Sequence, residues 1–205
     1  MSGDSKKPSF KSDEEMWAYI EEQEALINQF NDVFSKARKK PKPHEGLSEV
    51  PAPFTEMEQL ARDGNPTAQF NLSVAYNAGD GVARDLEEAA SWLFKSAEAG
   101  FPPAQYNVGH RWLEAKDKEK AFDWFMRAAK QNYGPAQFHI GALYGNSGDY
   151  VRAYVWSYVA QLNRVDEARG NLEKIVSLLS KEELNDARYA VSALMMDFRE
   201  KGLLR

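Results

Sequence analysis

The chain contains no cysteine. That excludes disulfides, thiolate metal sites and cysteine nucleophiles together, and it leaves the redox compartment open. No stretch approaches the roughly 20 apolar residues that a bilayer-spanning helix needs. The first residues, MSGDSKKPSFKSDEEMW, place no apolar run after their lysines, and Gly3 does not directly follow Met1. Neither a secretory signal nor myristoylation is therefore expected, and the cytoplasm is the expected location. Basic charge is short as well: 26 Lys and Arg face 31 Asp and Glu, a net charge of −5. Nucleic-acid binding depends on phosphate neutralisation, so that balance argues against a nucleic-acid partner.

The sequence is equally poor in catalytic patterns. Its three histidines are His44, His110 and His139. His44 sits in a proline-rich stretch. The other two fall at different helical phases, six positions past Ala104 and three past Ala136. No His-x-x-x-His or His-Glu-x-x-His spacing exists, so no metal site is expected. A Gly-x-Ser-x-Gly elbow and a phosphate-binding glycine loop are both missing. The carboxylates of Asp85, Glu87, Glu88, Asp117 and Glu119 stand where helix starts favour negative charge. No catalytic residue and no cofactor is expected, although paired acids serving acid–base chemistry stay open as a reading from the enzyme class. The basic run 36–42 is broken by prolines and reads as a solvated helix end.

What the chain does have is a repeat. Apolar residues at 43% and a 12% share of aromatics suffice for a packed core. Three segments align: Pro66-Thr67-Ala68-Gln69-Phe70-Asn71-Leu72, Pro103-Ala104-Gln105-Tyr106-Asn107-Val108-Gly109 and Pro135-Ala136-Gln137-Phe138-His139-Ile140-Gly141. Eight residues beyond each Ala stands a ring, Tyr76, Trp112 or Tyr144. Farther on come Ala89 and Trp92, Ala121 and Trp124, Ala153 and Trp156. Proline presets the first turn of a helix, where its missing N–H costs nothing. Ala, an aliphatic residue four later and a ring eight later share one stripe of that helix. Ser73, Gly109 and Gly141 let a second helix come close, and the Ala-x-x-Trp pair faces it. Each unit is thus a helical hairpin that buries its apolar face only by stacking on neighbours.

These residues resemble the Sel1-like repeats, relatives of the tetratricopeptide repeat. The fullest match runs Ala68-Gln69-x-x-Leu72, Tyr76-x-x-Gly79-x-Gly81-Val82-x-x-Asp85, Ala89-x-x-Trp92 and Ala97. Gly79 and Gly81 suit positive φ in the interhelical turn, and Asp85 suits an N-cap. The second and third repeats lose four loop residues, leaving Ala115-Lys116-Asp117 and Ser147-Gly148-Asp149, turns closer to the tetratricopeptide type. The resemblance covers roughly residues 56–170. It implies an all-α fold, a right-handed superhelix (α-solenoid) of antiparallel helical hairpins, here with an N-terminal helical extension.

The expected organisation is a disordered tail over 1–12, an amphipathic helix over 13–40, a proline-rich linker over 41–53 and the repeat array over 54–205. Repeats are expected near 66–99, 103–131 and 135–163, with capping helices over 165–200. Thr55 and Glu58 have capping-box spacing at the start of the array. At its end Leu172, Ile175, Val176 and Leu179 form one face, and Ser180 with Glu183 opens a helix carrying Leu184, Ala187, Ala190, Val191 and Leu194. In the N-terminal helix Trp17, Ile20, Ile27, Phe30 and Phe34 form an apolar stripe. It folds back on the array, meets a partner, or makes a dimer contact.

In such an array the first helix of each hairpin lines the concave side. The groove-facing positions are then Thr67, Phe70, Val74 and Asn77, followed by Tyr106, His110, Leu113 and Glu114, and by Phe138, Ala142 and Asn146. Phe70, Tyr106 and Phe138 either form a ladder of rings in that groove or pack between adjacent repeats. The resemblance implies a non-catalytic scaffold or adaptor, bacterial in character, holding a peptide or helix of a partner protein. An immunity-type role against one effector is a sharper form of the same reading. Membrane insertion is not expected.

Overall fold

The computed structural model describes residues 52–204, with side chains from Thr55 onward. The expected helix 13–40 and the linker as far as residue 51 lie outside the described residues. Within them are nine helices and no strand: α1 (Ala52–Arg62), α2 (Pro66–Ala78), α3 (Leu86–Glu98), α4 (Pro102–Glu114), α5 (Lys118–Ala129), α6 (Gly134–Asn146), α7 (Tyr150–Leu162), α8 (Glu167–Val176) and α9 (Lys181–Glu200). The chain divides into two compact units between Ala104 and Gln105, in the first turn of α4.

In the first unit α2 packs against α1 and α3. Ala61 of α1, Ala68, Leu72 and Ala75 of α2, Val82 of the turn and Trp92 of α3 form one buried cluster, with Tyr76 against it. Asn65 caps α2 through its Oδ1, which accepts from the Ala68 amide at 3.0 Å. The expected glycine turn is present: Gly79 and Gly81 have φ of 76° and 71°. Asp85 caps α3 by accepting from the amides of Glu87 (2.9 Å) and Glu88 (3.0 Å). One boundary differs from expectation. Ala52 and Pro53 lie inside α1, because proline fits the first turn of a helix, and Thr55 therefore sits within the helix instead of capping it.

The second unit repeats this logic. Asp117 and Asp149 each accept from the amide three residues on, capping α5 and α7 at 3.0 Å. In the shortened turns the left-handed position falls to Lys116 (φ 65°) and Gly148 (φ 84°). Ala121, Trp124, Ala153 and Trp156 are buried, as their place in the motif requires. The capping box of α9 closes in both directions, with Ser180 N donating to Glu183 at 2.9 Å and Glu183 N donating to Ser180 Oγ at 3.2 Å. Ala187 and Val191 of α9 then complete a cluster with Ala153, Tyr154 and Val155 of α7 and with Leu172 and Ile175 of α8. Val176 is the exception on its expected face: it ends α8 at 40% exposure.

The Ala-Gln pair of the motif has a role that its spacing alone did not reveal. Gln69 Nε2 donates to the Ala61 carbonyl at 3.0 Å, and Gln137 Nε2 donates to the Ala129 carbonyl at 3.3 Å. Each reaches eight residues back, to the end of the preceding helix, and gives a second hydrogen bond to a carbonyl that also accepts from a turn amide, Gly64 N at 3.1 Å on Ala61 and Asn132 N at 3.0 Å on Ala129. Around Gln137 this grows into a network. Asn163 Nδ2 donates to Gln137 Oε1 (2.8 Å) and to Asn132 Oδ1 (2.7 Å), and Asn132 Nδ2 donates to the Leu203 carbonyl at 2.9 Å. The chain end is thereby tied to the turn between α5 and α6.

The small residues set how closely helices approach. A Cβ on Gly141 would stand 2.4 Å from Ser157 Oγ, 3.1 Å from the Ser157 amide nitrogen and 3.3 Å from the Ala153 carbonyl oxygen, whereas one on Gly145 would meet nothing nearer than 3.8 Å. Backbone of α7 cannot yield as a side-chain tip can. Gly141→Ala is therefore expected to cost about 1–2 kcal/mol, overpacking outweighing the helix propensity gained. Gly145→Ala on the same helix is expected to be neutral or stabilising by up to about 1 kcal/mol. Urea unfolding of both variants checks this, and equal midpoints would contradict the close α6–α7 approach.

Candidate protein-binding face

Charge is distributed unequally among the helices. Of the second helices, α3 holds Glu87, Glu88, Lys95 and Glu98, and α5 holds Lys118, Glu119, Lys120, Asp123 and Arg127, whereas α7 has only Arg152. First helices α2 and α6 contain no Asp, Glu, Lys or Arg, and α4 has only Arg111 and Glu114. Yet these helices are not enclosed. In α2 Thr67, Asn71, Val74 and Asn77 are exposed, Val74 by 50%. Phe70 is half-buried, its ring 5.4 Å from that of Phe101.

In the second unit Tyr106, His110 and Leu113 are half-buried and Glu114 is exposed, while Phe138 and Ala142 are half-buried and Asn146 is exposed. Tyr106 is the hub of a ring cluster. Its centroid lies 4.6 Å from His110, 5.5 Å from His139, 5.6 Å from Tyr133 and 5.7 Å from Phe125. Packing between successive hairpins thus accounts for Tyr106, and Phe70 likewise leans on a neighbouring ring. Phe138 touches the cluster's edge, 5.7 Å from His139.

The two histidines, expected apart, are in contact. Their rings meet edge to face at 4.6 Å, and His139 stacks on Phe125 at 5.0 Å with an interplanar angle of 16°. Positions six past one alanine and three past another differ by only about 60° in phase at about 100° per residue, so stacked first helices bring them to one side. Comparing that phase difference, and not spacing within one helix, was the signal that could have found the pair. Burial, and secondarily the charge of His110, lowers His139 to about 4. His110 is lowered mainly by burial, Arg111 adding to the effect and Glu114 opposing it. Burial raises the Tyr106 and Tyr133 hydroxyls, with Glu167 contributing at Tyr106.

No group of three or more His, Asp or Glu side chains is arranged to hold a metal ion among the described residues. A groove of about 430 Å³ between α7 and α8 is lined by Tyr154, Tyr158, Leu172 and Val176, with Gln161, Arg169 and Glu173 at its rim. Its rim pair, Arg169 with Glu173, is more than 70% exposed on both sides. It contains none of the expected binding residues.

A helical-hairpin repeat array whose first helices α2 and α6 are uncharged is the class that this geometry defines. The Sel1 repeat model matches residues 66–101 and 102–133. A Sel1 repeat protein from Oxalobacter formigenes has a crystal structure 31% identical to this chain, with a TM-score of 0.57, covering 60% of this chain and 98% of that one. The chain belongs to the Sel1 repeat family. A protective antigen of uropathogenic Escherichia coli strains, displaying an SLR fold, shares the fold at 23% identity and a TM-score of 0.51, over 92% of this chain and 49% of that one. No curated protein matches the chain.

The histidine pair has a consequence for stability. His139 is held neutral in the folded state, below the ordinary 6.5 of the unfolded chain. Its contribution is complete above pH 6.5 and is lost as pH falls toward 4, where the unfolded chain binds a proton that the folded one refuses. Urea midpoints of wild type and His139→Phe are compared from pH 7.5 to pH 4, and the wild type is expected to lose stability relative to the variant as pH falls. A constant difference across that window would contradict a neutral, half-buried His139.

Proposed function

We propose that the chain is a protein-interaction module, a scaffold or adaptor that holds a peptide or helix of a partner on the outward faces of its first helices. One observation carries this: two helices of thirteen residues, α2 and α6, expose part of their surface without a single charged side chain. Solubility favours charge on an exposed helix, and depletion of charge with enrichment of rings marks the centre of protein interfaces. The positions involved are Thr67, Val74 and Asn77 on α2 in the first unit, and His110, Leu113 and Glu114 on α4 with Phe138, Ala142 and Asn146 on α6 in the second. Phe70 and Tyr106 contribute edges of rings whose bodies are packed. Sel1 repeats generally mediate protein–protein contact, which agrees with this reading, and the bacterial sources of both similar structures favour a bacterial setting.

Affinity capture from the native host's lysate tests it. The wild type is compared with Val74→Lys/Asn146→Lys and with Leu178→Lys/Tyr189→Lys, a control that adds the same charge at exposed sites just before α9 and on it. The expected result is a captured protein lost at least about tenfold with the first pair and kept with the second, all three proteins melting alike. Retention by the first pair and loss by the control would move the interface to the α8–α9 end.

A further inference from the structure

Helix α9 packs on α7 and α8 with one side only. At about 100° per residue its buried Ala187, Val191 and Phe198 share that side, and Tyr189, Ser192, Ala193 and Met196 make up the opposite one. All four are exposed, Tyr189 by 81% and Met196 by 64%. The two large side chains stand two helical turns apart, with small residues between them that admit a close approach. Ser192 Oγ donates to the Arg188 carbonyl at 3.1 Å, so its hydroxyl can enter a contact without leaving a donor unpaired.

Charge is sorted by sign about this stripe. Along one edge run Lys181, Arg188 and Arg199, and along the other Glu182, Asp186 and Glu200. Asp197 lies on the acidic edge as well but is held by Lys201 at 2.6 Å. Among the described residues none of the other six makes an ion pair. The face is therefore an apolar strip between a basic edge and an acidic one, an order that is complementary to itself. When two such helices meet face to face about a two-fold axis parallel to them, the basic edge of each lies against the acidic edge of the other. A two-fold antiparallel pair would instead set like charge against like.

We propose that the outer face of α9 is the seat of a second copy of this chain, the two α9 helices lying parallel with Tyr189 and Met196 at the contact. Two-fold contacts that use the same patch on both copies are the commonest form of homo-oligomer. One pair of twenty-residue helices buries less than the roughly 1,200 Å² at which stable specific interfaces begin, so the association is weak, with a dissociation constant of about 100 µM. The contact is separate from the faces on α2 and α6 that are proposed for another protein.

The test is sedimentation equilibrium of the full chain from about 10 µM to about 1 mM, where a weak dimer shows as a mass that rises with concentration. Lys181→Glu/Arg188→Glu makes both edges acidic, and Asp186→Lys/Glu200→Lys makes both basic. Each of these variants alone is expected to associate at least about tenfold more weakly than the wild type, and an equimolar mixture of the two to regain wild-type association as a heterodimer. Tyr189→Lys, which leaves both edges in place, is expected to abolish association. A wild type that stays monomeric throughout the range overturns the proposal, and a lower melting temperature of Tyr189→Lys in that case would assign the face to residues 13–40 of the same chain. Association that persists in both charge variants or in Tyr189→Lys, or a mixture that stays apart, overturns it as well.

Discussion

A hairpin of two thirteen-residue helices cannot bury its own apolar stripe, and the rest of this structure follows from the way successive hairpins cover one another. Two devices hold the stack. Buried glutamines reach back eight residues, Gln69 to Ala61 and Gln137 to Ala129, and add a second bond to carbonyls at the end of the preceding helix. Small residues do the rest: Gly109 lies against the fully buried Phe125 ring, and Gly141 lies against the backbone of α7. A buried amide that is bonded on both its nitrogen and its oxygen, as Gln137 is, tolerates little displacement. Register between hairpins is thereby specified by directional contacts as well as by apolar area.

This division of labour frees one face of each first helix. The inward stripe, Ala68 with Leu72 or Ala136 with Ile140, is consumed by packing, and the second helices α3 and α5 carry much of the charge. What remains on α2 and α6 is small, polar or aromatic and uncharged. Such a surface gains little from water and is free to meet another protein. The ring cluster around Tyr106 stands at the border between the two roles. Its bodies close the α4–α6 contact, and its exposed edges belong to the face.

Much of this was legible in the amino acids. The Ala and Trp positions repeat in phase, and Asp85, Asp117, Asp149 and Ser180 announce helix starts that the structure confirms by hydrogen bonds. Three features were not legible, each because it depends on a neighbour distant in sequence. The role of the motif glutamine depends on where the preceding helix ends. The His110–His139 contact depends on the stagger between stacked hairpins, which spacing within one helix does not report. Thr55 looked like a cap from its spacing to Glu58, whereas Pro53 lies in the first turn of α1, where a proline starts a helix as readily as it ends one.

On the proposed function, the uncharged outward faces of α2 and α6 receive a protein. Site-specific photo-crosslinking in the native host measures this directly, with benzoylphenylalanine placed at position 74 on α2, 146 on α6 or 189 on α9. Positions 74 and 146 are expected to yield adducts of one and the same partner on irradiation, and position 189, although 81% exposed, is not. Adducts confined to position 189, or none from positions 74 and 146, would contradict it.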